Sequence, residues 1–285
     1  MLLIPPMPDP FTWVEPAALV IILAYLGIRF RRGRSAGWAF MRDYALIAPA
    51  AWLAEDSCIR LFGFYEYAPG WHLFLDRVPV MVAAIWPFVI LSARDVASRL
   101  CRGRVAAIGL GSAIVIFDAA LIEAVATSTG LWHWLEPGPF GVPFMGFFGW
   151  GCFAAACLLF LGVVPGQMKP LTVFGAPLVT HVLLMACWWG FFKWVTGPVS
   201  DGIYAGFVAA LCGLLVIPCR RLRHRAALPL DEMVSRMVAA SYFFWLLLLY
   251  NSDDVPLMVF AFSFALPWMS LVTWKSGGKR VQGQA

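Results

Sequence analysis

The sequence is short of charged residues. Only 13% of its 285 residues are Asp, Glu, Lys or Arg, whereas 61% are hydrophobic. A water-soluble domain carries about 25% charged residues, so this deficit excludes a soluble globular fold. We predict an all-α, polytopic transmembrane helical bundle. The formal net charge of +5 comes from short loops between the apolar runs rather than from one face, and we expect no nucleic-acid partner.

The motifs of metal, phosphate and nucleophile sites are also missing. The seven Cys include no C-x-x-C pair, and the four His are scattered. The sequence has no P-loop, no G-x-G-x-x-G that opens a helix, no H-E-x-x-H and no G-x-S-x-G. It also has no D-D-x-x-D cluster that could hold magnesium and a diphosphate. We therefore expect neither a metal nor another cofactor.

Apolar runs recur along the whole chain. A membrane span needs about 20 predominantly apolar residues, and nine segments are candidates. The eighth is short, so eight spans are the alternative to nine. The predicted spans are 12–30, 38–62, 78–93, 105–129, 142–164, 171–195, 202–218, 238–250 and 255–274.

Lys and Arg follow the odd-numbered spans, and the loops after the even-numbered spans are nearly free of them. The clearest basic clusters lie at 29–34 and 94–104. Basic loops remain in the cytoplasm. We therefore predict a multi-pass protein of the inner or plasma membrane, with its N-terminus outside and its C-terminus in the cytoplasm.

Two segments of the sequence resemble each other. Each contains a Gly, an aromatic-x-aromatic triplet, a Val-Pro pair and a Trp. They have these features at 63–67, 78–79 and Trp86, and again at 130–134, 142–143 and Trp150. We predict one transmembrane domain with a tandem repeat of helical units, at about 38–100 and 105–165, followed by C-terminal spans at 171–274.

Several acids fall inside predicted spans, where an ionisable group is costly and usually functional. An offset of 67 residues places Asp56 on Glu123, near the outer ends of the second and fourth spans. Two parallel units facing each other would bring this pair to one cavity on the outer-leaflet side, and side-by-side packing is the alternative. Glu55 adjoins Asp56. Asp118 is about 140° from Glu123 around the helix, so we expect no close pair between them.

These acids indicate acid–base chemistry. A carboxyl in an apolar pocket keeps its proton to higher pH, and it can then protonate a carbon–carbon double bond. Aromatic faces stabilise the resulting cation. We predict a catalytic set of Asp56, Asp118, Glu123 and Glu55. The alternative is that these acids are interhelical hydrogen-bond donors.

The aromatic residues of the two similar segments are predicted to bind substrate, with an interfacial aromatic belt as the alternative. Glu66 and His133 each lie between two aromatics of an outer loop. They could bind a polar group or pass protons at the mouth of the site, or simply be solvated. The predicted substrate-binding residues are Tyr65, Glu66, Tyr67, Trp86, Trp132, His133, Trp134 and Trp150.

The same residues resemble a known family. Glu55, the residues at 63–67 and 78–79, and Trp86 resemble the membrane carotenoid-biosynthesis family, which includes carotenoid hydratases. The family's signature is similar to Asp118 and the residues at 130–134, 140–143 and 148–150. The family is itself similar to the small helical membrane lycopene cyclases, which also carry a tandem repeat of helical units.

The sequence departs from the family pattern at three places. Ile122-Glu123 stands where an Asp-Pro is expected, and Met145-Gly146 follows the second Val-Pro where Ser-Asn is expected. The acid-rich Pro-x-Glu-Glu motif of the cyclases is missing. The resemblance therefore implies the hydratase-like fold more strongly than hydratase activity.

The resemblance and the acids together predict a cofactor-independent membrane enzyme. It would protonate a hydrophobic isoprenoid and quench the carbocation with water, as a hydratase does. One alternative is a cyclase that uses the same acid, and another is a non-enzymatic lipid or proton-coupled carrier. The expected partners are the isoprenoid and the lipid bilayer, and the sequence leaves room for a homo-oligomer or for partner enzymes of the pathway.

Overall fold

The computed structural model describes residues 9–195, 199–225, 228 and 230–271. They form an all-α bundle, which confirms the predicted class. The helices are α1 Phe11–Arg31, α2 Arg34–Phe62, α3 Val80–Leu100, α4 Arg104–Ser128, α5 Phe144–Val163, α6 Thr172–Gly190, α7 Asp201–Arg225, α8 Leu230–Tyr250, α9 Val255–Ser263 and α10 Ala265–Leu271.

Most of these helices can cross a membrane. Among the described residues, seven segments are long and apolar enough, so the chain is a multi-pass membrane protein. Helix α2 is longer, at 29 residues, but it carries charged side chains towards both ends. The seven segments are Phe11–Arg31, Val80–Leu100, Arg104–Ser128, Phe144–Val163, Gly166–Trp194, Asp201–Leu222 and Met233–Tyr250.

The last two predicted spans differ from the structure. The eighth, expected over 238–250, is a helix of 21 residues, because its charged first turns are helical too. The apolar part of this helix, Met233–Tyr250, is long enough to cross a membrane. The ninth is broken, since α9 ends at Ser263 and α10 begins at Ala265. Residues 272–274 of the predicted span lie outside the described residues.

Two short strands join the loops that follow α2 and α4. Strand β1 (Tyr65–Tyr67) pairs antiparallel with β4 (Trp132–Trp134). A glycine of positive φ follows each helix, Gly63 directly after α2 at 60° and Gly130 two residues after α4 at 76°, a conformation that costs glycine little. The chain can therefore turn sharply from helix into strand. The pairing places both loops at the same end of the bundle, as the alternation of basic loops requires.

A second strand pair lies in the same region. Strand β2 (Phe74–Leu75) pairs antiparallel with β3 (Val78–Pro79), which leads directly into α3. The sequence predicted a loop up to residue 77 and a span from residue 78, because runs of two or three residues are too short to show strand alternation. The hairpin directs the Val-Pro pair towards the bundle, where Val78 is fully buried.

The opposite end of the bundle is closed by packing and ion pairs. Ile47, Ile90 and Val96 belong to one core cluster and are fully buried. Asp95 accepts hydrogen bonds from Tyr25 and Arg29, both at 2.5 Å. Helices α1 and α3 are thus tied together below the region where the strands lie.

Candidate functional site

A cavity of about 440 Å³ lies inside the bundle. Residues of α1 to α6, α8 and α10 contribute to its lining, together with β1 and β4. The lining is mostly aliphatic and aromatic, which suits an apolar ligand. Three acidic residues and one arginine border it, namely Glu55, Asp118, Glu123 and Arg236.

Glu123 of α4 is held by three indole groups. Its Oε2 accepts hydrogen bonds from Nε1 of Trp132 and of Trp134, both at 2.8 Å. Its Oε1 accepts one from Nε1 of Trp150, on α5, at 2.7 Å. The carboxyl is only 3% exposed, so these three donors replace the water that it loses on burial.

Glu55 of α2 has a matching set of three donors. Its Oε2 accepts hydrogen bonds from the hydroxyls of Tyr65 and Tyr67, the latter at 3.1 Å. Its Oε1 accepts one from Nε1 of Trp86, on α3, at 2.9 Å. Each acid is therefore bonded by both aromatics of the strand that follows its own helix and by one Trp of the next helix.

The acid that corresponds to Glu123 is Glu55, and not Asp56 as the offset of 67 residues predicted. Neighbouring helix residues point about 100° apart, so only one of the two can face the cavity. Asp56 accepts hydrogen bonds from Arg60 Nε on its own helix at 2.8 Å and from the backbone N–H of Arg77, in the loop before α3, at 3.4 Å. It does not line the cavity.

Six aromatic residues connect the two acids, and we call them the aromatic cluster. Across β1 and β4, the Tyr65 and Trp134 ring centroids are 4.8 Å apart. Between α3 and α5, the Trp86 and Trp150 centroids are 4.5 Å apart. All six residues line the cavity. The cluster comprises Tyr65, Tyr67, Trp86, Trp132, Trp134 and Trp150.

The middle residues of the two strands point away from the cavity. Glu66 and His133 lie opposite each other in the strand pair, and their side chains are 3.7 Å apart and more than half exposed. Successive strand residues face opposite sides, so the aromatics turn inwards and these two turn outwards. They do not join the cavity lining, and a role for them at its mouth stays a prediction.

The two tyrosines of the cluster keep their protons. Burial, followed by the nearby Glu55 carboxyl, raises the pKa of Tyr65 and of Tyr67 well above the ordinary value of 10.0. Both phenols are therefore neutral hydroxyls at physiological pH. They remain able to donate a hydrogen bond to Glu55 or to accept one from it.

Asp118 has a different environment. It accepts a hydrogen bond from Arg236 Nη2, and Nη1 of the same guanidinium donates to Ser92 Oγ at 2.6 Å. The guanidinium carbon also lies 4.9 Å from the Trp268 ring centroid. Asp118 is thus neutralised by a buried cation, as a structural ion pair would be, and it does not contact Glu123.

The sequence prediction missed Arg236 because the eighth span was begun at residue 238. An indication was present, since Met233, Arg236, Met237 and Ala240 follow helical spacing, and all four line the cavity. Extending that periodicity backwards would have placed the arginine within the eighth span.

Two further polar groups border the cavity. His181 of α6 lies with its Nε2 at 2.7 Å from the Ser57 hydroxyl, while its Nδ1 has no hydrogen-bond partner among the described residues. The same holds for the Tyr242 hydroxyl. Within the described part of the chain, no group of three His, Cys, Asp or Glu residues could hold a metal ion.

Comparison with known proteins gives one match. The sequence model of a family described as carotenoid biosynthesis protein matches residues 10–218. No curated protein matches the chain, and no solved structure matches it. The matched region contains both cavity glutamates and the whole aromatic cluster, whereas α8, with Arg236, lies beyond it.

Proposed function

The chain belongs to the family of carotenoid biosynthesis proteins, and from this premise we propose that it is a membrane hydratase of a long isoprenoid. The observation that carries the proposal is the pair of triply hydrogen-bonded carboxyls, Glu55 and Glu123, on the surface of an apolar cavity. An isoprenoid polyene has no polar group that a site could hydrogen-bond, but it has double bonds that a buried acid can protonate.

The partners of the two acids favour different roles for them. An indole N–H can only donate, so the three indoles around Glu123 suit an ionised carboxylate. Two of the partners of Glu55 are hydroxyls, and a hydroxyl can accept the proton of a carboxylic acid as well as donate to a carboxylate. We therefore assign Glu55 as the general acid and Glu123 as the anion that stabilises the cation.

The proposed reaction begins with transfer of the Glu55 proton to the hydrogen-bearing carbon of a terminal trisubstituted double bond, the carbon next to the one that carries the two methyl groups. The π electrons form the new carbon–hydrogen bond, and the neighbouring carbon becomes a tertiary cation. The Glu123 charge and the faces of the aromatic cluster stabilise this cation. A water oxygen then bonds to it, and the surplus proton restores the Glu55 carboxyl. The net change is the addition of one water.

The residues of the aromatic cluster also fix the orientation of the two glutamates. Both oxygens of each glutamate are held by aromatic N–H or O–H groups, so the carboxyls cannot turn away from the cavity. Because the proton donor is already held in one orientation, no conformational entropy is lost in orienting it at each turnover. We expect the aromatic residues to position the acids and, through their faces, to contact the isoprenoid chain.

A cyclase is the second candidate, and the apolar lining of the cavity favours it. Where little water reaches the tertiary cation, an internal double bond of the same molecule can capture it instead. The ring then forms without a change of mass once a proton is lost. The first step is the same in both candidates, so Glu55 and Glu123 keep their roles and only the capture step differs.

Expression in a lycopene-producing bacterium, followed by liquid chromatography and mass spectrometry of the pigments, tests the proposal. We expect a product heavier than lycopene by one water, and its loss in Glu55→Gln. A new isomer of equal mass would favour the cyclase. An unchanged pigment profile with folded protein in the membrane would remove lycopene as a substrate and make a carrier the next candidate.

We also propose that the site faces the outer leaflet. The strands and the aromatic cluster lie at the end of the bundle where the loops carry few basic residues, and such loops are usually extracytoplasmic. Labelling of the variants Glu66→Cys and His133→Cys with a thiol reagent that does not cross the membrane, applied to intact cells, checks this orientation, because both side chains are exposed. Labelling that occurs only after the cells are permeabilised would place these strands, and the site, on the cytoplasmic side.

A further inference from the structure

A histidine on α6 borders the same cavity as the two glutamates but takes no part in the chemistry described so far. The ring of His181 lines the cavity, and its Nε2 lies 2.7 Å from the hydroxyl oxygen of Ser57 on α2. Its ring also makes a T-shaped contact with Phe62, with centroids 5.4 Å apart and ring planes at 82°. These two contacts fix both the position and the tilt of the imidazole.

The serine hydroxyl determines which ring nitrogen carries the proton. Ser57 Oγ donates its one proton back along α2 to the Leu53 carbonyl, as serines within helices commonly do. It can then only accept from His181. The neutral imidazole must therefore carry its proton on Nε2, and Nδ1 is left with a free lone pair.

That lone pair has no partner. Nδ1 of His181 is buried, and no donor among the described residues reaches it. A buried acceptor without a partner is costly, and in a site it usually marks a group that a ligand or substrate completes. The residue borders the cavity on the side of α2 and α6, where Cys58, Tyr65 and Leu184 also contribute to the lining.

We propose that His181 is the general base that receives the proton of the attacking water, an inference that rests on the hydratase function proposed above. The water donates a hydrogen bond to Nδ1 while its oxygen forms the bond to the tertiary cation. The oxygen–hydrogen bonding pair stays on the oxygen, and the proton passes to Nδ1. The imidazolium then returns this proton to the Glu55 carboxylate, so that alkene and water give the alcohol and no co-reactant is consumed.

Ser57 is a positioning residue in this scheme. By accepting from Nε2 it excludes the tautomer in which Nδ1 carries the proton, and that tautomer would present a donor to the water instead of an acceptor. Without Ser57 both tautomers become available, so the base is weakened but not removed. Removal of the imidazole should therefore affect hydration more than removal of the hydroxyl.

The test separates cation formation from water capture. Purified wild type, His181→Phe and Ser57→Ala are incubated with lycopene in deuterated water. Hydrated product measures capture, and deuterium in recovered or isomerised polyene measures protonation. We expect His181→Phe to lower hydrated product about 10²- to 10⁴-fold, the usual contribution of a general base, while deuterium uptake stays close to that of wild type. Ser57→Ala should show a smaller loss of the same product.

The other outcomes contradict the proposal. If hydrated product and deuterium uptake fall together in both variants, His181 and Ser57 only hold α2 and α6 together. If neither falls, another group accepts the proton. If wild type takes up deuterium but gives no hydrated product, the base assignment fails while acid protonation stands. If wild type shows neither, the hydratase function fails as well.

Discussion

Replacement of Glu55 by Gln is the sharpest test of the assignment of the two acids. The substitution keeps the shape of the side chain and its hydrogen bond from Trp86, and it removes the proton that the alkene would receive. General acids contribute about 10²- to 10⁴-fold to rate, and each tenfold corresponds to about 1.36 kcal/mol. The activation barrier should therefore rise by about 3–5 kcal/mol.

The matched control is the adjacent Asp56→Asn. Asp56 is also a buried acid of α2, but its partner Arg60 is 46% exposed and lies one helical turn away. Helix ion pairs of this kind are worth about 0.3–0.5 kcal/mol. This variant should lose a little stability and keep its activity.

The assay is product formation by purified protein in detergent or lipid, with the amount of folded protein measured by size-exclusion chromatography. Glu55→Gln should retain its elution volume and lose turnover. The reasoning would be refuted if Asp56→Asn lost the activity while Glu55→Gln kept it, since the offset of 67 residues would then have identified the right acid and the hydrogen-bond geometry the wrong one.

Three further predictions follow from the same geometry. Trp132→Phe removes one hydrogen-bond donor from Glu123. Because a hydrogen bond to a charged group is worth about 1.5–3 kcal/mol, turnover should fall about 10- to 100-fold. An unchanged rate would mean that the Glu123 carboxylate has no role. Gly130→Ala introduces a side chain at a φ of 76°, which costs about 1–2 kcal/mol, and should lower the Tm; a Tm equal to that of wild type would contradict the strain. The pKa values of Tyr65 and Tyr67 are raised, so the folded protein retains phenol protons that the unfolded chain releases above pH 10. The stability of the folded protein should therefore fall as pH rises beyond that value. The Tyr65→Phe, Tyr67→Phe variant should show a shallower fall of Tm between pH 9 and pH 11.

The general architecture could be predicted from the sequence. The helical class and the order of the long apolar helices follow from runs of apolar residues, and the common side of the even-numbered loops follows from the scarcity of Lys and Arg. The aromatic-x-aromatic triplets identified the segments that form β1 and β4. All of these patterns are local, and they depend only on residue type and spacing.

The pairing of acids could not be predicted in the same way. Glu55 precedes Gly63 by eight positions, whereas Glu123 precedes Gly130 by seven. A single offset therefore shifts the match by one residue, and one residue rotates a helical side chain by about 100°. Only the hydrogen bonds from the aromatic cluster show which of Glu55 and Asp56 faces the cavity.

Contacts between distant parts of the chain could not be predicted from the sequence either. Arg236 reaches Asp118 across 118 positions, and His181 reaches Ser57 across 124. No periodic pattern connects such residues, because each pair lies on two helices whose relative rotation is set by packing. The environment of Asp118 could not be predicted for this reason, since its partner is a buried arginine of a distant helix.

Incubation of purified protein and lycopene in water labelled with both deuterium and heavy oxygen tests the central claim most directly. The account predicts a product that carries one heavy oxygen on the tertiary carbon and one carbon-bound deuterium on its neighbour, and the loss of both labels in Glu55→Gln. A product without solvent-derived hydrogen on carbon, or equal labelling in wild type and Glu55→Gln, would contradict it.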